Sequence, residues 1–353
     1  MHLTRVIPLL RMRGVEVEVC TLDSGGSLAT AMAAQARVHT TAYATRRDGS
    51  NTAALLRTVR DIRRLVRRGG FDIVHTHLYW ADVLGTIGAA AALCPRRIIS
   101  RRAMNHARFA PGGGRAALDA LSTLLATEVV ANSRAALDDA AAAGHLPRHR
   151  TVIHNGIDPR SYAPAAPRDT GPLRLLSVGT LSAVKGHEHA IRALRLVRAG
   201  GVDAELTMVG GGPEQERLRR LAEPDRAAVH FAGHHADPRA FLAQADVFVM
   251  PSVEGFSNAL LEAMASGLPV IGVSTGGTAE AVIDGEGGLL VPPADPIAMA
   301  RAIEALASSR ERLRAMGAAN RARVVSHFSL EVCADRLAAW YLDGPHGEGG
   351  QRR

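Results

Sequence analysis

Two hydrophobic rhythms alternate along this chain of 353 residues. Short apolar runs rich in valine and isoleucine are separated by longer stretches in which Ala and Leu recur three and four positions apart. A short run that is apolar throughout fits a strand buried on both faces, and the longer spacing fits a helix covering one of those faces. The strands predicted for the first half are "VEVEVCTL" at 15–22, "ARVHTTAY" at 36–43, "FDIVHTH" at 71–77, "RRIISR" at 96–101, "EVVANS" at 128–133 and "RTVIHNG" at 150–156. A second series follows at 173–179, 205–212, 228–233, 246–252, 269–274 and 287–293, each run ending in Gly, Ser or Pro. Between the two lies "DPRSYAPAAPRDTGP", rich in Pro and Ala and without period, which reads as a linker over 158–172.

The predicted class is therefore α/β, with two Rossmann-like doubly wound domains, 1–157 and 173–328, facing across a cleft. A helix over 329–343 and a disordered tail over 344–353 complete the chain. Ligand is expected at the carboxyl ends of the strands. The opening is unusual for such a domain. Leu3, Val6, Ile7 and Leu10 fall on one helical face, so 1–13 reads as a helix where a first strand belongs. The rival, "TRVIPLL" as that strand, leaves only "RMRG" to cross to a parallel neighbour, which is too short. The first strand and the loop after it are read as missing, through a truncated or misassigned start, leaving a gap between the strands that would flank it.

Composition narrows the function classes. A formal charge of +8 and an isoelectric point near 10.3 raise nucleic acid or an anionic membrane as partners. In "RDIRRLVRRGG" at 60–70, however, the arginines sit at helical spacing beside Leu65 and Val66, as on a solvated helix face, and aromatics are too few at 4% for base stacking. Nucleic acid is excluded on that basis, while surface arginines leave room for peripheral docking on an anionic inner membrane face. Cys20, Cys94 and Cys333 follow no metal or redox spacing and read as packing residues of a reducing compartment. No run approaches the ~20 apolar residues of a spanning helix, and the start lacks a signal-peptide core, so the expected location is cytoplasmic.

Among 42 basic residues Lys185 is the single lysine, and it falls where the first turn of the second domain enters a helix. A lysine is a compact point charge on a mobile stem, whereas arginine is a rigid fork, so a narrow phosphate pocket accepts the first and excludes the second. The densest chemistry lies at 251–282, "PSVEGFSNALLEAMASGLPVIGVSTGGTAEAV". Glu254 closes a strand-to-turn segment, Ser257 is placed to cap the next helix, and Glu262 lies about a turn into it. Leu260, Ala263 and Met264 share one helical face, so Glu262 points elsewhere and can accept both hydroxyls of a ribose. The N–H groups of Phe256 to Asn258, at the positive end of the helix dipole, suit a diphosphate, and Gly255 lets a ligand approach the backbone.

With "VGTLSAVKGHEHAI", "LTMVGGGPEQERL", "VHFAGHHADPRAFLAQADVFVMPS" and "EGFSNALLEAMASGLPVIGVSTGGTAEAV" on the page, the chain resembles the GT-B retaining glycosyltransferases of family 4. Glu254 and Glu262, with seven residues between them, match that family's paired-glutamate pattern, and "VIHNGIDP" matches its hinge. The resemblance implies that Lys185 holds the distal phosphate, Glu262 the ribose, and the turn Gly255, Phe256, Ser257 and Asn258 the sugar and phosphates. It places Glu254 near the reacting carbon, His234 near the base, and Thr180 and Gly210 among the donor-binding residues. The catalytic set expected is Glu254, Lys185 and His106, with His75, His77 and His106 on the acceptor side. The family works without a metal or other cofactor, and no Asp-x-Asp metal motif occurs here.

One departure concerns Thr180, where the family often has an arginine. Either Thr180 donates a weaker hydrogen bond or another arginine reaches in. His145, His149, His327 and His346 read as surface residues. Ser257 lacks the elbow of a serine hydrolase, and "VGGGPE" lacks dinucleotide-fingerprint spacing. The implied function is transfer of a sugar from a UDP- or GDP-sugar, with retention, to a glycan, lipid-linked or small-molecule acceptor. Two alternatives remain, a non-catalytic nucleotide-sugar-binding remnant and a nucleotide-sugar epimerase of the same fold.

Overall fold

The computed structural model describes residues 2–23, 29–41, 52–102, 104, 113–144, 146–165 and 169–344. His106, His145, His346 and most of the predicted tail, 345–353, lie outside them. The chain divides into two compact units, Met1–Asn155 with Leu330–Arg353, and Gly156–Ser329.

In the first unit the elements run α1 (His2–Met12), β1 (Glu18–Thr21), α2 (Ala29–Ala33), β2 (Arg37–Thr40), α3 (Thr52–Gly69), β3 (Ile73–Thr76), α4 (Tyr79–Ala91), β4 (Arg96–Arg101), α5 (Gly114–Leu125), β5 (Glu128–Ala131), α6 (Arg134–Ala142) and β6 (His149–Val152). The predicted strands are all present, trimmed at their ends where glycine, polar or turn residues take over. The opening segment is a helix, which overturns the strand reading of "TRVIPLL", and Val6, Ile7 and Leu10 are buried as its periodicity requires. All pairings are parallel, but the sheet is in two pieces, β1-β2 and β3-β4-β5-β6, with no ladder joining them among the described residues.

Side-chain alternation buries both faces of the four-stranded piece. Ile98 and Val130 pack with Val6 and Leu10 of α1, while Ile99, Val129 and Ala131 pack with Leu137 of α6. The first of these layers is completed by the last helix of the chain, α14 (Leu330–Asp343), through Leu330, Cys333, Ala334 and Leu337. The Arg96 guanidinium clamps that helix, meeting both oxygens of Glu128 at 2.6 and 2.9 Å and the carbonyls of Trp340 and Tyr341 at 2.8 and 2.5 Å. Arg60, Arg63, Arg64, Arg67 and Arg68 of α3 are exposed while Ile62 and Val66 are buried, as the solvated-face reading expects. Cys94 and Cys333 are buried, but Cys20 is exposed on β1, a short strand that pairs with β2 alone among the described residues; it is not the packing residue its apolar surroundings predict.

The second unit contains β7 (Leu173–Val178), α7 (His187–Ala199), β8 (Ala204–Val209), α8 (Gln215–Ala222), β9 (Val229–Gly233), α9 (Arg239–Gln244), β10 (Val247–Met250), α10 (Asn258–Ala265), β11 (Val270–Val273), α11 (Gly277–Ala281), β12 (Gly288–Val291), α12 (Pro296–Ala307) and α13 (Arg310–His327). Its parallel sheet has the order β12-β11-β10-β7-β8-β9. Alternate residues again serve opposite layers: Leu175, Val247 and Val249 join Ile191 and Leu194 of α7, whereas Leu176, Phe248 and Met250 join Leu260 and Met264 of α10. Side chains of this size, fully removed from water, each contribute about 1.5–3 kcal/mol.

Strand order reverses between β7 and β10, and this seam is tied by charge. Asp246 is wholly buried at the start of β10, and its carboxylate accepts from the Arg174 backbone N–H at 2.9 Å and from Nη2 at 2.7 Å. Burial pushes this carboxyl up, but the Arg174 bonds and the nearby Arg310 outweigh it and hold it below its usual range. Removing one partner of such a buried pair costs about 3–5 kcal/mol, so the register of the two central strands is firmly set.

Candidate functional site

Turns leaving β7 and β10 run to opposite sides of the sheet, and in a doubly wound fold the crevice they leave at the carboxyl ends is where ligands sit. Lys185 lies on the first turn and Glu254 on the second. The two meet, Lys185 Nζ standing 2.6 Å from Glu254 Oε1, with each side chain about a quarter exposed. The same carboxylate oxygen accepts from the Ser252 hydroxyl at 2.7 Å, which fixes its position from the other side. Sequence spacing alone could not bring these two residues together; adjacency of β7 and β10 does.

Two glycines let backbone segments close on this crevice. A Cβ on Gly210, after β8, would lie 1.9 Å from the Gly179 carbonyl oxygen, so glycine there allows the turn carrying Thr180 and Lys185 to rest against the neighbouring strand end. A Cβ on Gly277, the first residue of α11, would lie 1.7 Å from the Gly255 carbonyl oxygen. The Gly277 N–H donates to the Glu254 carbonyl at 2.8 Å, so the segment 254–255 is seated on the start of α11. Gly277 escaped the sequence reading because a glycine at a helix start signals only a turn.

Phe256 is buried against the Phe328 ring at 5.3 Å, anchoring the turn that precedes α10. Ser257 occupies the N-cap position, but its side chain accepts no bond from the helix, contrary to the capping expected of it. The first turn of α10 is thus not capped by the Ser257 side chain, and the positive end of its dipole lies at the turn that follows β10. Glu262 is half-buried and, as its spacing predicts, lies off the face formed by Leu260, Ala263 and Met264. Its charge acts on Arg239, whose closest partner is Asp237 at 2.5 Å. Thr180 is exposed on the first turn. His234 is exposed directly after β9, its Cβ 3.9 Å from the Cβ position of Gly211.

His187, on the helix side of Lys185, drew no attention in the sequence. It is buried, with Nδ1 3.2 Å from the Ser177 hydroxyl, and burial first, then the Lys185 charge, lowers its pKa. Its neutral ring lies under Gly179, whose Cβ position is 3.9 Å from both His187 Nε2 and Lys185 Cδ, and supports the turn from beneath.

In the first unit, His75 and His77 flank the end of β3, ring centroids 4.3 Å apart. Both nitrogens of His75 are engaged, Nδ1 with Tyr341 Oη at 2.5 Å and Nε2 with Ser100 Oγ at 2.8 Å. Burial, then the charge of Arg102, pushes His77 down to about 3, and burial with His77 and Arg102 depresses His75 as well. Both rings are neutral near pH 7. His75 therefore acts as a cross-link from β3 to α14, while His106 lies outside the described residues. His149 and His327 are exposed, as expected. Among the described residues no group of three or more His, Cys, Asp and Glu is arranged to hold a metal ion, and no helix is long and apolar enough to cross a membrane.

Known proteins resemble the chain in both halves. The family model described as Glycosyltransferase Family 4 matches residues 1–161, and that described as Glycosyl transferases group 1 matches residues 172–309. Glycogen synthase of Mycobacterium tuberculosis is 37% identical over 204 residues, 56% of this chain and 49% of that protein. A GDP-mannose-dependent monoacylated alpha-(1-6)-phosphatidylinositol monomannoside mannosyltransferase of Corynebacterium glutamicum is 34% identical over 212 residues, 54% of this chain and 55% of that one. The chain thus spans about half the length of these curated relatives. Anabaena HepE, solved in complex with UDP, superposes with a TM-score of 0.78 at 20% identity, covering 96% of this chain and 94% of its own. Matched by two models of one enzyme family over both of its halves and by that fold over nearly its whole length, the chain belongs to the GT-B glycosyltransferases of family 4.

Proposed function

We propose that this protein is a metal-independent, retaining glycosyltransferase that moves a sugar from a nucleoside-diphosphate sugar to a glycan, lipid-linked or small-molecule acceptor. The observation that carries the reading is the Lys185–Glu254 contact at the point where strand order reverses. A relative dependent on GDP-mannose and a neighbour solved with UDP support a nucleotide-sugar donor of either base.

Lys185 neutralises the distal phosphate, assisted by the positive dipole end at the start of α10, and so stabilises the charge that develops as the bond from the sugar to that phosphate breaks. Glu254, held by Ser252 and Lys185, sits beside the reacting carbon, Glu262 accepts the ribose hydroxyls, and His234 lies by the base. Thr180 and Gly210 shape the phosphate side. The acceptor hydroxyl forms its bond on the face the leaving group vacates and passes its proton to the departing phosphate oxygen, with His106 on the acceptor side. Absence of an Asp-x-Asp motif supports the metal-free mechanism. Work in the cytoplasm, with the exposed arginines of α3 touching an anionic membrane face, belongs to the same reading, and co-sedimentation with anionic liposomes tests that contact.

The experiment is a thermal-shift screen against UDP, GDP and ADP and their sugars, followed by donor hydrolysis or transfer with wild type and Lys185→Ala. Binding raises the melting temperature by mass action. Stabilisation by one nucleotide, with release from its sugar that Lys185→Ala abolishes, is the expected result. A chain that binds the nucleotide yet never releases it from any donor is not this enzyme.

A further inference from the structure

Just past the carboxyl ends of the neighbouring strands β3, β4, β5 and β6 stand His77, Arg102, Asn132 and the pair His154–Asn155. Arg101, which ends β4, and Arg102, just past it, are treated very differently. Arg101 is buried with counter-ions, meeting Asp119 at 3.0 and 3.2 Å and Asp82 at 3.5 Å. Arg102, next along the chain and so directed to the opposite face, has none. Its Nη2 donates to Asn155 Oδ1 at 2.6 Å, and no carboxylate of the described residues reaches it. Arg96 and Arg174 each face a carboxylate, Glu128 and Asp246, and Arg97 spends its guanidinium on the carbonyls of Leu125 and Cys94. The stretch 103–113 that follows Arg102 contains no Asp or Glu.

The surroundings of Arg102 are polar yet uncharged. His75 and His77 are kept neutral by burial and by the guanidinium itself. Asn132, 3% exposed, donates from Nδ2 to the Arg102 carbonyl at 3.1 Å, while its Oδ1 has no partner among the described residues. A half-buried cation with one side-chain hydrogen bond and no carboxylate partner among the described residues is suited to take an anion. The planar fork of arginine matches a tetrahedral oxyanion with two parallel bonds.

We propose that Arg102, oriented by Asn155 beside His77 and Asn132, is a binding site for a phosphate group, and that this group belongs to a phosphate-bearing acceptor. Asn132 Oδ1 then accepts from a hydroxyl of the same molecule. The phosphate site stands on the geometry of the first unit; its assignment to an acceptor rests on the glycosyltransferase reading. The other source of the same chemistry is the diphosphate of the donor, and the test separates the two.

Inorganic phosphate is titrated into the full chain by calorimetry, with and without saturating UDP or GDP, for wild type, Arg102→Gln, Arg102→Lys and Lys185→Ala. Phosphate binding that survives Lys185→Ala and saturating nucleotide, and that weakens roughly tenfold or more in Arg102→Gln, is expected, since a charge-assisted bond is lost. Arg102→Lys keeps the charge without the fork, so intermediate affinity is expected and gives the reading if Arg102→Gln folds poorly. Wild-type affinity in both Arg102 variants overturns the site. Displacement by nucleotide, or equal loss in Lys185→Ala, assigns the phosphate to the donor and overturns the acceptor claim. Nucleotide binding is read in the same titrations, so a chain that takes phosphate through Arg102 but neither UDP nor GDP loses only the glycosyltransferase reading.

Discussion

Replacing Gly277 by alanine adds one methyl group to the first residue of α11, and two effects oppose each other there. Alanine is the better helix former by about 0.8–1 kcal/mol, and the φ of Gly277 is not in the left-handed region, so propensity alone favours the change. The added carbon, however, would lie 1.7 Å from the Gly255 carbonyl oxygen, 2.6 Å from its carbon and 2.9 Å from Phe256 Cα, all of them backbone. Real Cβ atoms essentially never come closer than 3.0 Å, so the segment 254–255 must retreat by about 1.3 Å, the difference between 3.0 and 1.7 Å. That movement stretches the 2.8 Å bond from Gly277 N–H to the Glu254 carbonyl and carries the Glu254 carboxylate away from Lys185. Overpacking costs about 1–3 kcal/mol, which outweighs the propensity gain, and a misplacement of about 1 Å at a reacting group costs about a hundredfold in rate. Gly277→Ala is therefore expected to melt a few degrees lower, and to lose about a hundredfold in transfer if the proposed reaction holds. The matched control is Gly114→Ala, also at the first residue of a helix but with nothing within 4 Å of the added carbon. Melting curves, nucleotide titration and donor turnover are compared for both. If Gly277→Ala behaves like Gly114→Ala in all three, the seating of the glutamate turn on α11 does not matter to the site.

Other perturbations test separate parts of the structure. Lys185→Arg keeps the charge but replaces a point by a fork, and transfer is expected to fall about tenfold or more; unchanged kinetics would mean the lone lysine is there by accident. Glu262→Gln should weaken nucleoside-diphosphate binding roughly tenfold, read by calorimetry, with little change in melting temperature, since the group is half-buried. Asp82 supplies a pH test. Burial raises its carboxyl to about 7, against the Thr76 hydroxyl and Arg101, which pull it down. The folded state therefore holds a proton that the unfolded chain releases near pH 4, so the contribution of this group is full below about pH 4 and is lost as pH rises through about 7. Asp82→Asn keeps an acceptor for Thr76 but cannot ionise; the stability of wild type relative to this variant should decline between about pH 4 and pH 7, and a constant difference in urea melts would refute the assignment.

Much of this fold is legible in one sequence because parallel strands buried on both faces leave an unbroken apolar signature that needs no partner to be seen. The runs around Ile98, Val130, Leu175 and Phe248 could be read as strands before anything was known of their neighbours. Pairing is different, since it joins residues far apart along the chain. That Lys185 touches Glu254, that Asp246 ties β10 to β7, and that Arg101 takes Asp82 and Asp119 follow from which strands lie side by side. Local rules also mislead where tertiary contacts decide. Ser257 has the residue type and position of a cap, yet its side chain makes no capping bond, and Cys20, set in an apolar stretch, is exposed on β1. Arg102 was invisible for the opposite reason: among so many arginines, its lack of a carboxylate partner among the described residues shows only once the partners of the others are known.

The first unit is built from both ends of the chain, and synthesis gives that arrangement an order in time. When Asn155 has been added, β3 to β6 can pair, but Ile98 and Val130 still lack the apolar cover of Leu330, Ala334 and Leu337, and Arg96 and His75 lack their partners on α14. The whole second unit, Gly156–Ser329, must be made before that cover arrives. The half begun first on the ribosome is thus the half completed last, and during that interval its exposed sheet face is the part of the nascent chain most in need of a chaperone.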